Sequence, residues 1–261
     1  MKITRLGHAM YLFESKEGKN YLIDPFFDLN PGFPPDLDTA DFYKSIDCVF
    51  LTHGHFDHTS GLTKLVAHKP DIMIVAQYEL ALILLQKGMK NVLPINTGGT
   101  VPLSDVAVTM VPAKHTSSYG ETEGPPVYAG EAAGYIFDFY LDYTVYHSGD
   151  TALMSDMKLI QDVYNPEIAI LSSSGHFTMG PKEAAYAVKH LLKVKYVIPS
   201  HTFPTNETAP SPESLTQLLQ AFPVVGYMID KDHELEELLK DYPKTDVVIL
   251  RYGEERDFEK H

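Results

Sequence analysis

One cysteine, Cys48, stands in 261 residues, so no internal disulfide holds this chain. It lies in the apolar run Cys48-Val49-Phe50-Leu51 and reads as a small core residue rather than a catalytic thiol. No apolar run approaches the roughly 20 residues that cross a bilayer as a helix. Residues 1–14 alternate like a strand and lack the apolar block of a secretory signal, so a cytoplasmic protein is expected. Positive charge is also scarce. Lys and Arg total 21 against 35 Asp and Glu, for a formal net charge of -14. Such a surface repels nucleic acid and anionic membranes, which excludes both as general partners. A small-molecule substrate is the expected partner; a homo-oligomer is compatible with the composition, although no stripe marks an interface.

Hydrophobic residues make up 44% and charged residues 21%, an ordinary balance for a globular chain with a well-buried core. No internal repeat or linker divides the sequence, so residues 1–261 are expected to form one domain. Alternation and punctuation place strands at 1–6, 10–14, 21–25, 47–51, 71–76, 92–95 and 106–111, with helices at 62–67 and 78–87. The later half gives strands at 132–139, 143–147, 168–171, 196–199, 224–229 and 247–250. Helices at 153–163, 181–192, 212–221 and 233–240 separate them. Prolines leave 28–38 irregular, and Ser, Gly, Pro, Thr and Glu make 116–130 a loop. Strands first and strands alternating with helices later suit a layered α/β protein.

The stretch Thr52-His53-Gly54-His55-Phe56-Asp57-His58 directly follows the apolar run 48–51. Its histidines and aspartate sit on a loop leaving a buried strand, where turns aim several imidazoles at one point. The i, i+4 histidine pair of a helix-borne zinc site is absent. Imidazole with carboxylate suits zinc, iron or manganese, zinc being the commonest choice for a nitrogen-rich site. His58, His115, Asp150 and His201 all lie just beyond predicted strand ends, so they can converge at one edge of a sheet sandwich.

With those residues in view, the chain resembles the metallo-β-lactamase-fold superfamily of metal-dependent hydrolases. Its signature H-x-H-x-D-H matches His53, His55, Asp57 and His58, followed in order by His115, Asp150 and His201. Further pieces resemble the UPF0173 metal-dependent hydrolases, akin to the ascorbate-6-phosphate lactonases. These are Leu6-Gly7-His8-Ala9, Ile23-Asp24-Pro25, Gly98-Gly99-Thr100, Gly130 to Tyr135, Tyr146 to Thr151 and Phe177 to Pro181. Two departures stand out: His176 where that branch usually has Asn, and apparent extensions at 116–130 and 222–245. The resemblance implies a four-layer αβ/βα sandwich, two central mixed β-sheets flanked by helices.

It also implies two divalent metal ions. His53, His55 and His115 would hold the first, and Asp57, His58 and His201 the second, with Asp150 bridging. Zinc is the expected metal, with manganese and iron as alternatives. A metal-bound hydroxide would then cleave a small ester, lactone or phosphoester, with Asp57 orienting it. A nuclease of the same fold and a di-iron redox protein are the alternatives. The acidic balance weighs against the first, and the lack of a visible flavin-binding domain against the second. His176, at a strand exit, reads as a general acid, a substrate contact or a loop histidine. His8 and Asp24 match branch motifs. Asp24 reads as a hydrogen-bond partner of a ligand imidazole, and a local turn contact is the alternative for both. His147 reads as a shaper of the Gly149-Asp150 turn; His68, His190, His233 and His261 read as surface residues. Residues 116–130 read either as a flap carrying Tyr119, Tyr128, Glu121 and Glu123 over the metal edge or as a solvated loop.

Overall fold

The computed structural model describes residues 1–120 and 124–260. Three short strands open the chain, β1 (Lys2–Arg5), β2 (Tyr11–Glu14) and β3 (Asn20–Ile23). Helix α1 (Ala40–Ser45) starts where Thr39 Oγ1 accepts the Phe42 N–H, a side-chain cap on an otherwise orphaned donor. Strand β4 (Cys48–Phe50) leads into α2 (Phe56–Thr59), α3 (Leu62–His68), β5 (Met73–Gln77), α4 (Tyr78–Gln86) and β6 (Val92–Ile95). Then follow β7 (Thr100–Pro102), β8 (Val106–Pro112), β9 (Ser118–Tyr119), β10 (Val127–Tyr128), β11 (Ala133–Phe139) and β12 (Thr144–His147). The last third runs α5 (Asp156–Tyr164), β13 (Ile168–Ser172), α6 (Pro181–His190), β14 (Tyr196–Ser200), α7 (Pro212–Ala221) and α8 (Asp232–Leu239). Strands β15 (Asp246–Val247) and β16 (Glu255–Asp257) close it.

Two seven-stranded mixed sheets result, in the orders β16-β1-β2-β3-β4-β5-β6 and β15-β14-β13-β12-β11-β8-β7. Period-two alternation builds the layers. In β4, Cys48 and Phe50 face the cluster between the sheets, and Val49 faces the one shared with α1, α3 and α4. In β13, Ile168 and Ile170 point inward, and Ala169 and Leu171 pack against α5, α6 and α8. Strands apolar on both faces are what a sheet covered on both sides requires. The architecture is the four-layer αβ/βα sandwich. Strands β3 to β6 run parallel, as do β12 to β15, so the loops after β3, β4, β12 and β14 leave at the carboxyl ends of their strands.

Several local expectations change. Residues 224–229 are not a strand: Pro223–Met228 is a 3₁₀ helix. Pro223 fits a helical first turn and Gly226 weakens a strand. Within 28–38, Pro35–Leu37 forms a 3₁₀ turn. The loop 116–130 contains the two-residue ladder β9–β10, with Val127 opposite Tyr119 and Tyr128 opposite Ser118; Glu121 and Glu123 lie outside the described residues, as does His261. The last expected strand, 247–250, shrinks to β15, and β16 pairs instead with the edge strand β1.

Candidate metal centre

Each signature residue leaves a strand end. His53 and His55 follow β4, with His58 on α2. His115 follows β8, Asp150 follows β12 and His201 follows β14. His8 sits between β1 and β2, and Asp24 follows β3. The turns are tight. Asp24 (φ 51°) and His201 (φ 59°) both take the left-handed conformation, which costs a non-glycine residue about 1–3 kcal/mol and clusters at functional sites. Gly149 (φ 58°) supplies the same turn before Asp150, and a Cβ there would lie 2.3 Å from the Ala133 carbonyl. Gly54 lets the histidine loop lie under the 116–130 segment: a Cβ would come within 2.6 Å of the Ser118 carbonyl.

The side chains converge in three groups whose ligand atoms lie within 4.8 Å of one another: His53, His55 and His115; His8, Asp57, His58 and His201; and His53, His58 and Asp150. Asp150 Oδ2 stands at the middle. It is 2.9 Å from His201 Nε2, 3.5 Å from His58 Nε2, 3.7 Å from His115 Nε2 and 3.9 Å from His53 Nε2. His8 comes closer than a turn contact, its Nε2 lying 3.1 Å from Asp57 Oδ2.

Hydrogen bonds behind the ligands fix their tautomers. Asp24 is fully buried and accepts the Thr52 N–H (2.8 Å) and the Thr52 hydroxyl (2.6 Å). Its Oδ2 also accepts from His58 Nδ1 at 2.8 Å, which turns His58 Nε2 toward the site. Because the Thr52 proton goes to Asp24, His53 Nδ1 must donate to Thr52 Oγ1 (3.0 Å), and its Nε2 lone pair also faces the site. His201 Nδ1 lies 3.0 Å from Ser174 Oγ. His58 Nε2 and Asp150 Oδ1 are buried without a hydrogen-bond partner among the described residues. His53 Nε2 and His55 Nδ1 approach to 2.9 Å. The unpartnered His58 Nε2 and Asp150 Oδ1, with the other ring nitrogens gathered this closely around them, fit divalent cations placed among them.

The charges tell the same story. Burial alone would raise Asp150 and Asp57, but His201 and His58 hold Asp150 far below the usual carboxylate range, and His58 and His8 do so for Asp57. Burial lowers the His53 and His115 imidazoles. Burial acts against His58 as well, yet Asp150, Asp57 and Asp24 outweigh it and raise it well above its ordinary value. Without a cation, a proton on His58 balances the carboxylates. His8, desolvated, falls to about 4.

Not every candidate reaches this point. His176 is exposed and stacks on Tyr227 (centroids 5.6 Å apart). Its neighbour Phe177, rather than His176, lines the cavity beside the cluster, so the general-acid expectation for His176 is not met. His147 turns inward and accepts the Gly149 N–H at Nδ1. Neither Tyr119 nor Tyr128 lines the cavity; from that segment Thr116 and Ser118 do. Thr52 and Ser174, which orient imidazoles, carry no spacing signal that would have marked them. Thr52 is flagged only by adjacency to His53.

Sheet order, helical flanks and this histidine–aspartate edge define a metallo-β-lactamase fold with a metal centre. A family model described as the β-lactamase superfamily domain matches residues 19–202. The chain belongs to the UPF0173 metal-dependent hydrolase family. It is 43% identical over 215 residues to a UPF0173 metal-dependent hydrolase of Koribacter versatilis, covering 81% of this chain and 89% of that one. A relative of the same description from Methanopyrus kandleri is 38% identical over 256 residues, covering 97% and 98%. Among solved structures, a metallo hydrolase from Ignicoccus hospitalis superposes with a TM-score of 0.77 at 26% identity, covering 100% and 99% of the two chains. An isothiocyanate hydrolase from Delia radicum gut bacteria shares the fold, with a TM-score of 0.72 at 20% identity over 99% of each chain. Among the described residues no helix is long and apolar enough to cross a membrane.

Proposed function

We propose that this centre holds two divalent ions, zinc by its nitrogen-rich donors, and that the chain hydrolyses a small ester, lactone or phosphoester. The observation that carries the reading is Asp150 Oδ2, which lies within 3.9 Å of a ring nitrogen of four histidines; with two cations bound, Asp150 would serve both. His53, His55 and His115 would hold one ion, and Asp57, His58 and His201 the other. Bound ions lower the pKa of a coordinated water to about 7 and polarise the oxygen of the bond under attack.

The chain supplies the rest. Asp24, Thr52 and Ser174 keep the imidazoles in tautomers whose lone pairs face inward. His8 Nε2–H donates to Asp57 Oδ2 and steadies that carboxylate where it lines the cavity. Asp57, held ionised, is placed to accept a hydrogen bond from the attacking water. Elemental analysis of metallated protein, run beside a panel of lactones, phosphodiesters, thioesters and amides, tests both halves. The expected result is two ions per chain and metal-dependent turnover of at least one oxygen ester. One ion per chain would sink the bridging role of Asp150, and no turnover across the panel would sink the hydrolase reading.

A further inference from the structure

A cavity of about 360 Å³ opens from the metal edge, within the size range of small-molecule sites. Its polar lining is limited to metal-cluster residues with Thr116 and Ser118, and none of its described lining residues is Lys or Arg. The opposite wall is apolar. Phe26, Phe203, Leu218, Val225 and Met228 form a buried cluster. Phe222 stacks on Phe56 with centroids 4.9 Å apart, and both rings remain half-buried where they meet the cavity. Val224 and Phe177 add further accessible apolar surface.

Leu218, Phe222, Val224, Val225 and Met228 bring α7 and the 3₁₀ helix after it to this wall, and Phe26, Phe56, Phe177 and Phe203 complete it from segments beside the cluster. A phosphate arm lying on this wall would give up its hydration without a cationic side chain to replace it. A hydrocarbon arm would release water from apolar surface already in place.

We infer that the substrate is a neutral ester or lactone carrying an apolar arm of several carbons. The reacting carbonyl sits at the histidine–aspartate cluster and the arm lies on the Phe222–Val224–Met228 wall. The inference rests on the hydrolase reading. In the reaction, the oxygen of water bonds to the acyl carbon and the acyl carbon–oxygen bond breaks. The departing alkoxide takes up a proton, and the acid product ionises to a carboxylate with release of one proton.

The test uses metal-loaded full-length protein and methyl esters from acetate to hexanoate, followed by proton release. Each methylene buried contributes about fourfold, so kcat/KM should climb by about that factor per added carbon until the wall is covered. δ-Decalactone should be turned over at least tenfold better than 6-phosphoglucono-δ-lactone. A second readout needs no metal and no turnover. The neutral fluorophore N-phenyl-1-naphthylamine should bind the metal-free protein and be displaced by methyl hexanoate but not by methyl acetate. Val224→Glu should weaken dye binding at least tenfold and flatten the chain-length series; the wild-type series decides the matter if that variant does not fold. Hydrolysis that is indifferent to chain length, or that favours the phosphorylated lactone, overturns this inference and leaves the hydrolase reading standing. Dye binding with the expected displacement but no hydrolysis of any ester or lactone overturns the hydrolase reading and supports the apolar subsite.

Discussion

Replacing Asp24 with Asn separates the charge and proton logic of the centre from its shape. The amide has the volume of the carboxylate, and Asn tolerates the left-handed backbone that Asp24 adopts (φ 51°) as well as Asp does. What changes is the direction of hydrogen bonds. Asp24 Oδ2 now accepts from both Thr52 Oγ1 and His58 Nδ1. With the amide oxygen kept on the Thr52 N–H, the NH₂ group stands where Oδ2 stood and can only donate. One N–H then points at His58 Nδ1 and drives the His58 proton to Nε2. The other points at Thr52 Oγ1, whose own proton turns toward His53 Nδ1 and drives that imidazole's proton to Nε2 as well. The opposite amide orientation sets NH₂ against the Thr52 N–H, donor against donor. Both metal groups therefore suffer from one substitution that touches neither site directly.

Loss of a partner that orients a metal-ligating histidine costs roughly 10–100-fold in affinity, or about 1.4–2.7 kcal/mol per ion. Hydrogen bonds to a charged group contribute about 1.5–3 kcal/mol to stability, so metal-free Asp24→Asn should also unfold earlier in urea. Competition against a chromophoric chelator reads both zinc affinities, and long-range ¹H–¹⁵N spectra of histidine-labelled, metal-free protein read the tautomers. Two affinities within about twofold of wild type, with His53 still protonated at Nδ1, would refute the proton-direction argument.

Three other outcomes follow from the same geometry. Asp150→Ala should lose activity well beyond the roughly 10–100-fold expected of a residue behind the ligands, while His147→Ala should stay within it; equal, small losses would show that Asp150 does not bridge. Asp150 lies below its ordinary 3.8 and His58 above its ordinary 6.5, so their pairing stabilises metal-free protein fully between those values. It is lost as pH falls through the depressed Asp150 value and as pH rises from 6.5 toward the raised His58 value; thermal melts should show Tm declining on both sides. Metal loading should remove the alkaline decline, and a flat metal-free profile would count against the pair. Arg5 is fully buried, bonds Asp232 (2.5 Å) and Thr202 (2.6 Å) and stacks on Tyr252. Asp232→Ala leaves that cation unpaired and should cost about 3–5 kcal/mol in a urea titration; a loss under 1 kcal/mol would mean that Thr202 and Tyr252 suffice.

The histidine–aspartate cluster was legible because strand ends are legible. An apolar run such as 48–51 fixes a buried strand, and the polar residues just past it have to leave the sheet at its edge. His8 and Asp24 were visible only through resemblance, since a single histidine between β1 and β2 carries no spacing of its own. Thr52 and Ser174 were invisible as partners: a hydroxyl accepts from or donates to whatever is nearest, so only the three-dimensional path from Asp24 through Thr52 to His53 reveals its part. His176 misled because a histidine at a strand exit before a helix points inward or outward according to packing far along the chain, here the ring of Tyr227.

The least legible part is the apolar wall beside the cluster, and the reason is physical. Val224, Val225, Met228 and Ile229 give a segment as apolar as any strand, and local propensity reads it as one. Its apolar side chains are instead drawn to Phe26, Phe56 and Phe203, residues from the first quarter of the chain and from the loop after β14. Pro223 and Gly226 remove the ladder that would compete with that packing. Ligands for a metal are dictated one residue at a time by chemistry that a sequence displays. A cavity wall is dictated by which distant surfaces happen to meet, so one spacing of histidines can serve relatives whose substrates differ.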